Sequence, residues 1–434
     1  MRKTLMGIVA VLAFGLAGCG GDDGGSSSSS DASGDVSFMV FGDPDEIQGF
    51  KNMIAAYENE QPDVNVDMIE AADRDDLIAR LSTSFAGGTP PDLFLLNYRY
   101  LGQFVSKDVL EPLEERVDDS DVFQQEDFYE EALEAFRFDG ALTCVPQNIS
   151  SLVVYYNKDL FEKAGVAPPE AGWKWDDMVA AATKLQAADK TIDGLGVEPV
   201  IIRLAPFIWS NGGELVDDDE NPSTFEFDTP EAQNAMADFF ELNLVDEVIP
   251  SEEEIESEDL ETRFINGRLG MLMESRRAVP TLRAGIKDFD WDVAALPQHK
   301  QAGSILHSDA YCMTKASENK DAAWSFMEYA LGPEGAEIVA KSGRTVPSLR
   351  SVAESPAFLD PTAKPANSQV WLDAIPAIRN VPAISTWPEI EDAVEPMLEE
   401  ALYTGEGLDA LVEEIKKVSD PLFAEAQEEN EDEG

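Results

Sequence analysis

"VNVDMIEAADRDDLIARLSTSFAGGTPPDLFLLNYRY" (64–100) decides the fold of this chain. "VNVDMIEA" (64–71) alternates apolar and polar residues, the period of a half-buried strand. "DRDDLIARLSTSFAGG" (73–88) has helical spacing and ends on a glycine pair. "PDLFLLN" (91–97) is a short, continuous apolar run, which reads as a buried strand. Upstream, "DVSFMVFG" (35–42) reads as a strand. "EIQGFKNMIAAYENEQP" (46–62) reads as a helix with Ile47, Phe50, Ile54 and Tyr57 at helical spacing, stopped by Pro62. Strand–helix–strand–helix–strand predicts an α/β fold with a parallel, helix-covered sheet. Ligands of such sheets sit beyond the carboxyl ends of strands. Phe41, Asp43 and Glu46 after the first strand, and Asn97, Tyr98, Arg99 and Tyr100 after the third, are therefore candidate binding residues.

The N-terminus is a separate device. Arg2 and Lys3 precede an apolar stretch, Met6–Ala17, that is too short to span a bilayer comfortably. That is the shape of a secretory signal peptide (1–18), and Leu16-Ala17-Gly18-Cys19 resembles the bacterial lipobox, in which the cysteine is acylated after cleavage. Gly20–Gly34 is a hydrophilic Gly/Ser/Asp tract, a flexible linker with a reach of about 20 Å. Cys19 thus reads as an anchor holding a folded body at the outer face of the cell membrane.

The composition excludes one class of partner. With 31 Lys+Arg against 86 Asp+Glu the formal net charge is −55, which repels nucleic acid and anionic lipid surfaces. This acidity reads as a solvated surface, and the acidic end (425–434) as a frayed, disordered tail. No stretch beyond the leader is long and apolar enough to span a membrane.

Five segments then carry a resemblance, in order along the chain. They are "AGGTPPDLFLL" (86–96), "FDGALTCVPQNISSLVVYYNKDLFEKAGV" (138–166), "GWKWDDMVAAATKL" (172–185), "FINGRLGMLMES" (264–275) and "KASENKDAAWSFMEYALGPEGAEIVAKSGRTVPSLRSV" (315–352). The sequence from 35 to about 420 resembles the extracellular solute-binding proteins of bacterial ABC importers, specifically the sugar-binding family that includes maltose-binding protein. The resemblance implies a periplasmic-binding-protein-like fold, two α/β lobes joined by hinge strands with a ligand cleft between them. It places 35–146 and 303–343 in lobe 1, and 147–302 and 344–424 in lobe 2. It also implies a monomeric binding protein, not an enzyme, that captures a sugar and delivers it to the permease subunits.

Sugar capture needs aromatic planes for apolar C–H faces and carboxylates, amides or Arg for hydroxyls. By resemblance, Gln147, Asn148 and Ser150 face the cleft at the lobe crossing, and Ser150 replaces a Glu of maltose-binding protein. Asp309, before the strand that returns to lobe 1, joins them. On lobe 2 the resemblance points to Trp209, Asn211 and a stacking Trp387. In "MESRRAV" (273–279) the family's usual aromatic is replaced near Arg277, so Glu274, Arg276 and Arg277 are expected to bond a polar or anionic group rather than stack. A non-sugar ligand, such as a polyol phosphate or a polyamine, is the alternative reading. Trp173, Trp175 and Trp324 read as structural.

A secreted glycoside hydrolase is the third reading, and the sequence offers it little. His299 and His307 are the two histidines of the chain. There is no Gly-x-Ser-x-Gly elbow, zinc helix or cofactor motif. Ser317-Glu-Asn-Lys320 matches Ser-x-x-Lys, but Ser317 reads as a helix N-cap and Lys320 as solvated. "DDDENPSTFEFD" (217–228) has calcium-loop spacing but Pro222 where Gly is required, so it reads as a hairpin loop, and no metal is expected. Cys144 and Cys312 border the hinge in the implied fold. As an even pair in an oxidising compartment they are expected to form a disulfide, two buried thiols being the alternative.

Overall fold

The computed structural model describes residues 32–433. The expected signal peptide, Cys19 and the linker up to Asp31 lie outside the described residues.

Strand β1 (Gly34–Val40) is followed by helix α1 (Pro44–Glu60), β2 (Val64–Glu70), α2 (Arg74–Gly87) and β3 (Leu93–Asn97). Local chemistry sets these boundaries. Asp43 caps α1 by accepting from the backbone N–H groups of Asp45 and Glu46, both at 3.0 Å, and Pro44 fills the first helical turn. Ile47, Phe50, Ile54 and Tyr57 are all buried on the sheet side. Gly88, at φ 70°, ends α2 in the left-handed conformation that glycine adopts without strain. Asp92, just before β3, accepts from Ser37 N at 2.9 Å and from the hydroxyls of Ser37 (2.7 Å) and Ser317 (2.6 Å). That contact corrects the N-cap expectation. Ser317 ties the helix entrance to Asp92, while the helix α-carbon trace begins at Lys320 with Asn319 at the cap position. Lys320 is also not solvated alone, since its Nζ lies 2.7 Å from Glu111 Oε2.

The chain continues through β4 (Cys144–Pro146) and then enters a second sheet, made of β5 (Val153–Asn157), β6 (Asp193–Gly196), β7 (Leu269–Glu274) and β8 (Trp291–Ala294), before it returns as β9 (Asp309–Met313). The first sheet has the order β2-β1-β3-β9-β4, with β1, β2 and β3 parallel and β9 antiparallel to both its neighbours. The second has the order β8-β5-β7-β6. These are two α/β lobes, one per sheet, and three segments pair with one another between them: Gln147–Ser150 bonds His307 on one side and Val346–Ser348 on the other. Cys144 and Cys312 face each other in register on β4 and β9 and form a disulfide.

Three further helices matter for the site. Helix α3 (Ile201–Ser210) follows β6, α4 (Pro230–Leu244) packs on it, and α5 (Trp387–Thr404) lies across α4. The last helix, Leu411–Glu433, continues through the acidic end that composition alone marks as frayed. Phe423 and Ala426 are buried on it, and Gln427 donates to the carbonyls of Asn221 and Pro222 at 3.3 and 3.1 Å. Tertiary contact therefore orders what charge repulsion alone would loosen.

Candidate interlobe ligand site

The carboxyl ends of β1, β3, β6 and β7 face the crossing segments. On the first lobe, Asn97 ends β3 and caps the short turn Tyr98–Tyr100. Its amide nitrogen donates to Asp309 Oδ1 at 3.0 Å and to the Ser308 carbonyl at 3.1 Å. Asn148, on the first crossing, donates to Asp309 Oδ2 at 3.4 Å and accepts from Asp309 N at 3.1 Å. One carboxylate is thus held between two amides from separate segments. Beside it, Ser150 and His307 exchange backbone hydrogen bonds of 2.9 and 2.8 Å, which ties their two crossings together. Asp43 accepts from Arg344 Nη1 at 2.9 Å, and Arg344 Nε also contacts Glu46.

On the second lobe, Glu274 is the last residue of β7 and is buried. Its Oε2 accepts from Arg203 at 2.9 Å and Arg277 at 2.7 Å, and its Oε1 from Ser275 N at 2.6 Å. Burial by itself would raise the carboxyl pKa, but the two guanidinium groups outweigh it and hold Glu274 well below the usual range. Arg277 also reaches Glu261 at 2.8 Å, and Arg203 reaches Glu198 at 2.8 Å. The lobes join at Ser150, whose hydroxyl accepts from Arg276 N at 3.4 Å, and at Arg99, whose Nη1 reaches Glu391 on α5. His307 lies between the arginines of both lobes. Burial, followed by Arg203 and then Arg99 and Arg74, pushes its pKa far below the usual value, so it is neutral at pH 7.

The other expected site residues are buried. Phe41 lies under the Arg74 guanidinium, 5.7 Å from its ring centroid. Tyr98 is fully buried rather than presented as a platform. Trp209 is buried with Arg379 stacked 4.9 Å above it, and Asn211 donates to the Glu231 carbonyl at 2.7 Å. Trp387 is buried within the second lobe, edge-on to Phe225 at 6.1 Å and near Phe423 at 6.5 Å. The Arg276 guanidinium lies 4.4 Å from the Phe358 ring centroid and 4.6 Å from that of Trp371. Trp173 and Trp175 are buried, and Trp324 is half-buried against Phe123. In the hairpin loop, Asp217 is saturated by Ser223 N (2.8 Å), Ser223 Oγ (2.5 Å) and Thr224 N (3.2 Å). Among the described residues no group of acidic, His or Cys side chains is arranged to hold a metal.

Sequence reasoning missed Arg203, His307 and Glu391. Arg203 carried a readable signal, being the one charge in the apolar helix "IIRLAPFIWS" (201–210). His307 and Glu391 carried none.

The family model described as "Bacterial extracellular solute-binding protein" matches residues 43–337. The chain belongs to that family. Its members are the binding components of transporters, so this solute-binding protein is not an enzyme and works outside the cytoplasm. A galactooligosaccharide-binding protein of Bacillus subtilis (strain 168) is 22% identical over 395 residues, 86% of this chain and 90% of that one. An ABC substrate-binding protein of Listeria monocytogenes, solved in complex with cycloalternan, superimposes with a TM-score of 0.81 at 24% identity, covering 90% of this chain and 99% of that one. UgpB of Mycobacterium tuberculosis, solved in complex with glycerophosphocholine, gives a TM-score of 0.79 at 19% identity, covering 91% and 100% of the two chains. The solute-binding protein therefore shares its fold with a protein solved in complex with cycloalternan and with one solved in complex with glycerophosphocholine.

Proposed function

We propose that this protein captures a carbohydrate, an oligosaccharide, in the cleft between its lobes and delivers it as a monomer to the permease of an ABC importer. The observation that carries the reading is the charge compensation of the cleft. Arg99 is matched by Glu391, Arg344 by Asp43 and Glu46, and Arg203 and Arg277 by Glu274. The amides of Asn97 and Asn148 stand beside them. A set of fixed donors and acceptors with little net charge suits hydroxyl groups, each of which donates one hydrogen bond and accepts others. It suits a polyamine or a free phosphate less well, because either would leave part of its charge unmatched. The Bacillus subtilis and Listeria monocytogenes relatives support the sugar class, and the glycerophosphocholine complex keeps a polyol phosphate as the competing ligand.

A thermal-shift screen tests this reading, because a ligand that binds only the native state raises its stability. Neutral oligosaccharides are expected to raise Tm, and polyamines and glycerol phosphates are not. A shift confined to phosphates or amines overturns it. The anchor is part of the same proposal: Cys19→Ser is expected to release the protein into the medium. Retention of that variant on membranes after a salt wash would show that another segment holds it there.

A further inference from the structure

Arg203 is 3% exposed and sits in the first turn of α3, immediately beyond the carboxyl end of β6. Its helix neighbours Ile201, Ile202, Leu204 and Ala205 are all buried and apolar. A guanidinium in such a place is costly unless its N–H groups find acceptors. Here only Nη2 finds them, at Glu198 (2.8 Å) and Glu274 (2.9 Å). Nε and Nη1 are buried and have no hydrogen-bond partner among the described residues. A purely structural arginine would be expected to spend all five N–H groups on the protein.

The two carboxylates do something else. They neutralise the charge and pin one end of the group, which leaves the other nitrogens in a fixed orientation. The path from Arg203 leads to the crossing: Glu274 binds it, Arg276 two residues on donates its backbone N–H to Ser150, and Ser150 pairs with His307. His307 Nε2 is likewise buried without a partner, and so is Arg74 Nε from the first lobe. Arg203 and Arg74 both lie near enough to His307 for their charges to act on it.

We propose that Arg203 is the specificity-determining ligand contact of the second lobe, donating from Nε and Nη1 to neutral oxygen atoms of a polyhydroxylated ligand, and that the ligand-free protein bears a stability cost for it. The proposal rests on the carbohydrate reading above. A site built to hydrogen-bond an oxygen discriminates strongly against a ligand lacking it, because the donors are then left buried and unpaired.

The test uses the full chain without its leader, wild type and the variants Arg203→Met and Arg203→Lys. Each is titrated calorimetrically with maltotriose, a β-1,4-linked galactotriose and sn-glycerol 3-phosphate, and melted without ligand. Arg203→Met is expected to melt at or above the wild-type Tm, since Glu274 keeps Arg277 as its partner. Both variants are expected to lose affinity about 100-fold for whichever trisaccharide the wild type binds. Trisaccharide affinity within about threefold of wild type, or a ligand-free Arg203→Met melting several degrees lower, overturns the proposal and makes Arg203 a structural residue. If the wild type takes only sn-glycerol 3-phosphate, the carbohydrate reading fails, and with it the assignment of Arg203 to neutral oxygens. If no probe binds, the carbohydrate reading fails on its own terms, and the ligand-free melting of Arg203→Met decides whether the residue is held at a cost.

Discussion

Arg99 Nη1 donates to both carboxylate oxygens of Glu391, at 2.9 and 2.7 Å, across 292 positions of sequence. Arg99 belongs to the turn after β3 of the first lobe, and Glu391 to helix α5, which packs on α4 of the second. Both groups are buried. The backbones are also in close contact nearby, since a Cβ added at Gly102 would strike the Ile384 carbonyl. The pair links the turn after β3 to α5. Removing one partner of a buried ion pair costs about 3–5 kcal/mol in the state that buries it. Opening the cleft would return Arg99 to water and relieve that cost. Glu391→Gln is therefore expected to favour the open form, which solution scattering would register as a larger radius of gyration and calorimetry as weaker ligand binding. Unchanged values for both would reduce the pair to a local contact.

Trp387 is expected to act through stability. It is buried in the second lobe, 6.1 Å from Phe225 and 6.5 Å from Phe423 between ring centroids. Trp387→Ala should cost about 3–5 kcal/mol, the range for large aromatic deletions from a core. The melting temperature should fall by several degrees while the folded fraction keeps its affinity. Lost affinity with an unchanged Tm would put the indole against the ligand.

Glu46 makes the protein sensitive to pH. Burial pushes its carboxyl up from 4.5 to about 7, with Asp309 and Asp43 adding to the effect and Arg344 opposing it. Between those values the folded chain keeps a proton that the unfolded chain has released. The stability tied to that proton is fully present below 4.5 and is lost as pH rises through about 7. Glu46→Gln removes the titration and keeps the shape. Its Tm relative to wild type should therefore climb by a few degrees between about pH 5 and about pH 8. His307 works in the opposite sense below its ordinary value, but it is present in both proteins and cancels in the difference. A constant gap between the two melting curves across this range would contradict the assignment.

The Cys144–Cys312 bridge closes a loop of 168 positions within the first sheet. On the chain-entropy estimate its loss costs up to about 5 kcal/mol. The double variant Cys144→Ser, Cys312→Ser should melt well below wild type and bind ligand normally, because both ends lie in one sheet and leave the second lobe free to move. Protein beginning after Cys19, denatured without reductant, should show no reactive thiols. Two thiols per chain would mean the bridge does not form in solution.

Much of the first lobe was legible because its signals are local. Pro62 stops α1 at Glu60, Gly88 ends α2, and the prolines at 90 and 91 delay β3 to Leu93, each through the backbone of its own neighbourhood. The ends of strands then pointed to Asp43, Asn97 and Arg99, and the resemblance to Glu274; in the structure Asn97 bonds Asp309, Asp43 bonds Arg344, and Glu274 bonds Arg203. The order of segments from 35 to about 420 was enough for the family and for two lobes.

What the tertiary structure alone decided is which side chain meets which across the cleft. Trp387 and Glu391 stand one helical turn apart on α5, and nothing in their local sequence says that the ring enters the second lobe's core while the carboxylate reaches Arg99. Ser317 has the local signature of an N-cap, yet Asp92, 225 positions away, takes its hydroxyl. Arg203 looks from sequence like one polar interruption of an apolar helix, and only Glu198 and Glu274 reveal how it is held. The physical reason is the same in each case. Periodicity and capping act over a few residues, whereas burial of a charge is decided by partners that folding supplies from distant segments.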